Sequence, residues 1–144
     1  MPECTLCHLT RGVVTSNEYW TAAINQNQAT LGRVFFALRR HETDVAALSP
    51  EERDALWEIA GQVKRALTTL FAPDHFNFMF LMNVDAHVHM HIYPRYAAPR
   101  EFTEQIFADS NFGGHYDPNE VRPLTEAQQE TLISCLRRTL AIGD

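Results

Sequence analysis

The chain has 144 residues, of which 45% are hydrophobic and 21% charged, and a net charge of −6. That composition suits a single globular domain with a core of its own. The acidic balance argues against a nucleic-acid coat or a ligand of anionic membranes, and no run approaches the ~18 apolar residues of a membrane-spanning helix.

Met1-Pro2-Glu3-Cys4 lacks the basic start and apolar stretch of a signal peptide, so a cytoplasmic location is expected. Cys4-Thr5-Leu6-Cys7 is a C-x-x-C pair, which in a reducing compartment is half a zinc site or a redox pair. Residues 2–11 read as a short turn or helix. Tyr19–Asn25, rich in aromatic and β-branched residues, predicts a strand. A polar loop from Gln26 to Thr30 and Gly32 precede a second, antiparallel strand over Arg33–Arg39.

Ser49-Pro50-Glu51-Glu52 predicts a helix start, with Ser49 and Glu52 as a capping box and Pro50 in the first turn. Leu56, Ile59, Val63, Leu67 and Leu70 recur at steps of three and four, so the helix carries one buried stripe and ends near Phe71, before Pro73. Trp57 flanks that stripe and reads as a packing residue. Phe76–Met82 is apolar almost throughout and predicts a central strand. Asn83–Ala86 is a tight connection to an antiparallel neighbour over His87–Pro94. Residues 101–124 are mixed, and Phe112–Pro118, including His115, is a loop. Thr125–Gln128 opens a last helix whose Leu132, Ile133, Leu136 and Leu140 share one side, ending near Gly143.

This order predicts an α+β fold: an antiparallel sheet of about five strands, a long helix packed on it and a C-terminal helix. Residues 1–144 would form one domain, with a core over about 1–100 and a C-terminal extension over 101–144.

Three of the seven histidines alternate with apolar residues in His87-Val88-His89-Met90-His91-Ile92-Tyr93-Pro94. In a strand, His87, His89, His91 and Tyr93 share one face, and Val88, Met90 and Ile92 the other. At ~3.3 Å per residue, the first and third histidines stand about 13 Å apart, so the three cannot share one ion. The chemistry therefore divides. Two imidazoles at i and i+2, His87 and His89, could hold a catalytic zinc. Alternatively a neutral imidazole, fixed through one ring nitrogen, is a nucleophile toward phosphorus, and a neighbour steadies the phosphoryl oxygens. Arg95 and Arg100, just after the strand, are candidates for attracting phosphate. Cys4, Cys7, His41 and His87 are a candidate Cys₂His₂ metal group.

His87 to Tyr93 resembles the motif of the histidine triad (HIT) superfamily, His-φ-His-φ-His-φ-φ with φ apolar. Asn25 seven residues before Gly32 resembles the family's Asn…Gly spacing, the Leu48–Glu52 stretch resembles the start of its long helix, and Cys4-x-x-Cys7 with His41 resembles its zinc-bearing branch. The resemblance covers residues 1 to about 100. It implies a HIT-like fold, usually a homodimer with a continuous sheet. The implied activity is nucleotide hydrolysis or nucleotidyl transfer at an α-phosphate, on a nucleoside phosphoramidate or dinucleoside polyphosphate. It implies His89 as nucleophile, His91 on the phosphate oxygens, the backbone near His87 holding the His89 ring, and Asn25 and Asn83 near the nucleotide. It also implies a structural zinc on Cys4, Cys7, His41 and His87. The implied partner is a small-molecule nucleotide, with neither a nucleic-acid polymer nor a membrane. One departure is the short loop before the triad, where Asp85 brings negative charge toward an anionic substrate. A low-turnover nucleotide-binding protein and a zinc hydrolase are the alternatives.

Overall fold

A computed structural model describes residues 4–143. Met1–Glu3, where the predicted N-terminal turn begins, lie outside the described residues. Among the described residues the order is β1 (Val13–Ser16), β2 (Trp20–Ile24), β3 (Val34–Leu38), α1 (Pro50–Phe71), β4 (His75–Met79), β5 (His89–Arg95), β6 (Arg100–Phe102), β7 (Gln105–Phe107) and α2 (Glu126–Ile142). Short 3₁₀ turns occupy Thr5–His8 and Val45–Ala47. The first five strands make one antiparallel sheet in the order β1-β2-β3-β5-β4, and β6 and β7 form a separate hairpin. The class is α+β, as the element order predicts. No helix among the described residues is long and apolar enough to cross a membrane.

The pleat sorts the residues of the sheet. β3 pairs with β5 so that Phe36 faces Met90 and Val34 faces Ile92, while Phe35 faces His91 and Ala37 faces His89. Val34, Phe36, Leu38, Val88, Met90 and Ile92 are buried on the helix side, with Trp20, Ala22 and Ile24 of β2. The stripe of α1 that covers them holds Leu56, Ile59, Val63 and Leu67. Removing a full-sized apolar side chain here costs roughly 2–5 kcal/mol, because the neighbours cannot close the gap.

α1 begins where its sequence says. Ser49 accepts from the Glu52 N–H, and the Glu52 side chain accepts from the Ser49 N–H. Glu52 also receives the Arg40 guanidinium at 2.7 and 3.0 Å. Arg40 holds its carboxyl down to about 2; burial opposes this, and the Ser49 N–H assists it. The Glu52 carbonyl accepts the Trp20 indole N–H at 2.8 Å, tying the first turn of α1 to the sheet. At the other end Ala72 takes a left-handed φ of 46°.

Five points differ from the sequence reading. The strand expected over Phe76–Met82 as a central one is the edge strand β4, ending at Met79, with no buried residue. An apolar run alone does not distinguish a strand with neighbours on both sides from an edge strand. Second, the connection to β5 runs over residues 80–88 rather than only Asn83–Ala86, with Met82 at φ 44°. Third, His87 lies just ahead of β5. The pairing does reach the next residue, since Leu38 N–H donates to Val88 O and Val88 N–H to Glu42 O. Fourth, Trp57 is 59% exposed and packs no core. Fifth, β1 and the β6–β7 hairpin have no counterpart in the reading; each is only three or four residues long, too short for a periodic signal.

Candidate active site and metal centre

His89 and His91 project from β5 on the face opposite the core, beside Phe35 of β3. Their rings are 4.9 Å apart between centroids and nearly perpendicular. The His89 Nδ1 lies 2.8 Å from the main-chain oxygen of His87. A carbonyl only accepts, so Nδ1 carries the proton and Nε2 keeps its lone pair. This is the arrangement a nucleophilic imidazole requires.

His87 turns the other way. Its Nε2–H donates to Leu38 O at 2.6 Å, which leaves Nδ1 unprotonated. That Nδ1 stands 3.3 Å from Cys4 Sγ, 3.6 Å from Cys7 Sγ and 3.3 Å from His41 Nδ1. Cys7 Sγ is 3.3 Å from His41 Nδ1, and the four ligand atoms all lie within 4.8 Å of one another. A tetrahedral zinc with bonds of about 2.0 Å to nitrogen and 2.3 Å to sulfur needs N–N and N–S edges of roughly 3.3 and 3.6 Å. The group therefore fits a metal ion. The Leu38 carbonyl that fixes the His87 tautomer supplies the outer hydrogen bond that metal-bound histidines typically make.

A cavity of about 340 Å³ opens over His89 and His91. One wall is the β2–β3 loop with Asn25, Asn27, Thr30 and Arg33. A second is the β4–β5 loop with Leu81, Asn83 and Asp85. A third is the C-terminal extension with Tyr116, Asp117 and Glu120. The first wall is built by Gln28, which is fully buried. Its amide donates to the carbonyls of Asn25 and Arg33, and its oxygen accepts from Gly32 N–H at 2.7 Å. Gly32 has a φ of +90°, and a Cβ there would stand 2.7 Å from Leu67 Cδ2. Only glycine turns the chain this close to α1.

Among the described residues, four buried side-chain atoms lack a hydrogen-bond partner: Thr30 Oγ1, Arg33 Nε, His91 Nδ1 and Tyr93 Oη. All four belong to residues that line this cavity. Unpaired buried polar atoms are costly, and their concentration in one cavity marks a place for a polar ligand. Burial lowers the Arg33 guanidinium from its ordinary value, and its carbon lies 4.4 Å from the centre of the Tyr93 ring. Burial, then the charge of Arg33, then His89, holds His91 down to about 3.

The other predicted residues divide. Asn25 and Asn83 line the cavity. Arg95 and Arg100, expected near phosphate, are placed elsewhere. Arg95 is 3% exposed and donates to Asp109, Asn77 Oδ1, Gly114 O and Asn111 O. Arg100 donates to Phe71 O and Ala72 O, satisfying carbonyls at the end of α1. Sequence reasoning missed Arg33, Thr30 and Tyr116. Arg33 carried a signal, being a lone cation at the start of a strand beside the histidine strand. Tyr116 carried none.

The model of the HIT domain matches residues 9–98. The chain belongs to the HIT family. Among solved structures it is similar to a protein of Sulfolobus tokodaii described as a hypothetical histidine triad nucleotide-binding protein. The two are 16% identical, with a TM-score of 0.74 over 96% of this chain and 93% of that one. A zinc-bound histidine triad protein of Mycobacterium smegmatis is 17% identical, with a TM-score of 0.66 over 96% and 94%. A HIT protein of Bacillus anthracis is 25% identical, with a TM-score of 0.57 over 65% and 72%. No curated protein matches the chain. The HIT match stops at residue 98, so the wall carrying Tyr116 lies beyond it.

The folded His91 value lies below the ~6.5 of an unfolded histidine, so between those two pH values the unfolded chain binds the extra proton. Its contribution to stability is complete above about 6.5 and falls as pH drops toward about 3. Thermal unfolding followed from pH 7 to 4 should show a falling Tm that His91→Gln flattens, and the His91 ring resonances should not titrate between pH 5 and 8.

Proposed function

We propose that this HIT protein is a nucleotide hydrolase or nucleotidyl transferase that works through a covalent adduct on His89. The observation that carries this reading is the His89 ring, fixed by the His87 carbonyl with Nε2 left free, in a cavity whose unpaired donors suit a phosphoryl group. His89 Nε2 attacks the α-phosphorus of a nucleoside phosphoramidate or dinucleoside polyphosphate. The P–N or P–O bond to the leaving group breaks, and that group departs with the electron pair and takes up a proton. Water, or an acceptor in a transferase, then attacks phosphorus, the P–Nε2 bond breaks and the imidazole is regenerated. His91, neutral at working pH, donates a hydrogen bond to a phosphoryl oxygen, and Arg33 and Thr30 oppose the developing charge. Arg33 takes the part expected of Arg95 and Arg100. Asn25 and Asn83 contact the nucleotide.

Zinc on Cys4, Cys7, His41 and His87 is structural in this reading. It ties the N-terminal turn to the end of β3 and to the residue whose carbonyl orients His89. A metal on His87 and His89 is less favoured, because the His87 Nδ1 faces the cysteines. The protein forms a homodimer through β4. That strand has one unpaired edge, Phe78 on it is 40% exposed, and Lys64 of α1 lies over Phe76. An apolar edge left open in this way invites a second strand.

Four measurements test this reading. His89→Ala should lower kcat by about 10³-fold or more on every substrate the protein turns over. Acid-free quenching and intact mass should show a nucleotidyl adduct on the wild type alone; full turnover by the variant would sink the covalent role. Metal analysis should give one zinc per chain, lost in Cys7→Ser, and chelation should lower Tm before it lowers activity at fixed fold. Light scattering at micromolar concentration should give twice the chain mass, and Phe78→Asp should return it to one.

A further inference from the structure

The C-x-x-C pair reads from the sequence as half a zinc site or as a redox pair, and its geometry suits both. Cys4 caps the 3₁₀ turn Thr5–His8, and Cys7 N–H donates to Cys4 O at 3.2 Å. A 3₁₀ turn has three residues and a rise of ~2.0 Å per residue, so side chains at i and i+3 stand over one another with α-carbons roughly 6 Å apart. That lies inside the span of about 4.4–6.8 Å that a disulfide bridges without moving the backbone. The two sulfurs already turn toward one point. They stand 3.3 and 3.6 Å from the same His87 Nδ1 and within 4.8 Å of each other. All three cysteines are free and half-buried, and Cys135, on α2 against α1 and β1, is outside the group.

The pair can be reached from solvent. A second cavity, of about 470 Å³, is lined by Leu6, Cys7 and His8 together with Leu38 and Arg39, and it shares no residue with the cavity over His89. No residue of the turn Thr5–His8 is buried, so its hold on the sheet leans on polar contacts. These are the four-residue group and Thr5 Oγ1, which donates to Asp85 at 3.4 Å. A segment with so little apolar burial opens at small cost. The group also grips His87, whose carbonyl accepts from the His89 Nδ1–H. What happens at the two sulfurs therefore reaches the His89 ring through one residue.

We propose that Cys4 and Cys7 are a reversible redox site, closed to a disulfide by a hydroperoxide, whose closure releases zinc and loosens the His89 ring. This rests on the reading of the four-residue group as a zinc centre. Cys7 Sγ, on the side of the second cavity, attacks one peroxide oxygen. The O–O bond breaks, the other oxygen leaves as hydroxide and is protonated from solvent to water, and Cys7 becomes a sulfenic acid. Cys4 Sγ then attacks Cys7 Sγ. The S–S bond forms, the S–O bond breaks, and the departing hydroxide is protonated to a second water. The two sulfurs together lose two electrons, and the peroxide gains them. A disulfide offers no thiolate, so His41 and His87 alone remain, too few for a closed zinc site. A dithiol reverses the reaction by exchange.

The test titrates the full, zinc-loaded chain with hydrogen peroxide in the presence of a metallochromic chelator. Zinc should be released as two free thiols disappear, and the intact mass should fall by that of two hydrogen atoms. The His89 Nδ1–H resonance, shielded from exchange by the His87 carbonyl, should be lost in step with the zinc. Turnover should fall by about tenfold or more, as the nucleophile loses its fixed direction. Dithiothreitol with added zinc should restore every reading. Cys135→Ser should respond as the wild type does, whereas Cys4→Ser should gain oxygen mass at Cys7 instead of losing hydrogen. Mass and resonance need no turnover, so a failure of the covalent chemistry leaves them readable. A chain isolated without zinc that still closes the disulfide and loses the resonance removes the metal reading and leaves the redox coupling standing. Zinc retained after the peroxide is consumed, oxidation of Cys135 ahead of the pair, or an unchanged His89 resonance in the disulfide form overturns the proposal.

Discussion

The pleat of β5 is the constraint on which the rest of the molecule depends. Val88, Met90 and Ile92 are fully buried against the α1 side, and this fixes the strand's register with no freedom to slip. A one-residue slip would send the histidines into the core and the aliphatic residues into the cavity. The chemistry of the site is therefore anchored by hydrophobic burial on the reverse of the same seven residues. β3 fits this demand with Phe36 and Val34 on one side, and with Phe35 and the small Ala37 beside the histidines on the other.

His87 joins two functions that look separate along the chain. Its Nδ1 belongs to the Cys4, Cys7 and His41 group, its Nε2 binds Leu38 O, and its carbonyl orients His89. The loop over residues 80–88, with Met82 at a strained φ, carries this residue. With the side chain gripped from two directions, the carbonyl has one direction to point. The N-terminal turn adds a further link, since Thr5 Oγ1 donates to Asp85, which lines the cavity.

The other end of β5 is organised by buried polar groups. Arg95 draws residues 109–114 onto the strand, and Gln28 folds the β2–β3 loop around Gly32. Each leaves its own donors satisfied, so burial there is compatible with stability. Between them lie Thr30, Arg33, His91 and Tyr93, each with one buried side-chain atom that has no hydrogen-bond partner. The contrast separates scaffold from site. His91 is packed by Phe35, His89 and Tyr93 and is only 8% exposed, and the loss of water keeps that imidazole neutral.

Much of this was legible in local patterns. The Ser49–Glu52 box, the α1 stripe and the Thr125 box each act over a few residues, and each stands where its sequence puts it; the alternation does so from His89 on, with His87 just ahead of the strand. The C-x-x-C pair and the triad also gave the HIT family. Long-range partners were not legible. Nothing in the sequence around Arg95 says that Asp109, Asn111 and Gly114, fourteen to nineteen residues on, accept from it, so it read as a phosphate ligand. Arg33 read as a strand end, because only pairing with β5 sets it against Tyr93. Phe76–Met82 read as central, because apolar content does not tell which neighbours a strand has. The sequence determined the long elements and the chemistry available on one strand, since those follow from periodicity and residue type. The tertiary structure decided which charges are buried, which are paired and which wall closes the cavity, since burial and pairing arise only when distant segments meet.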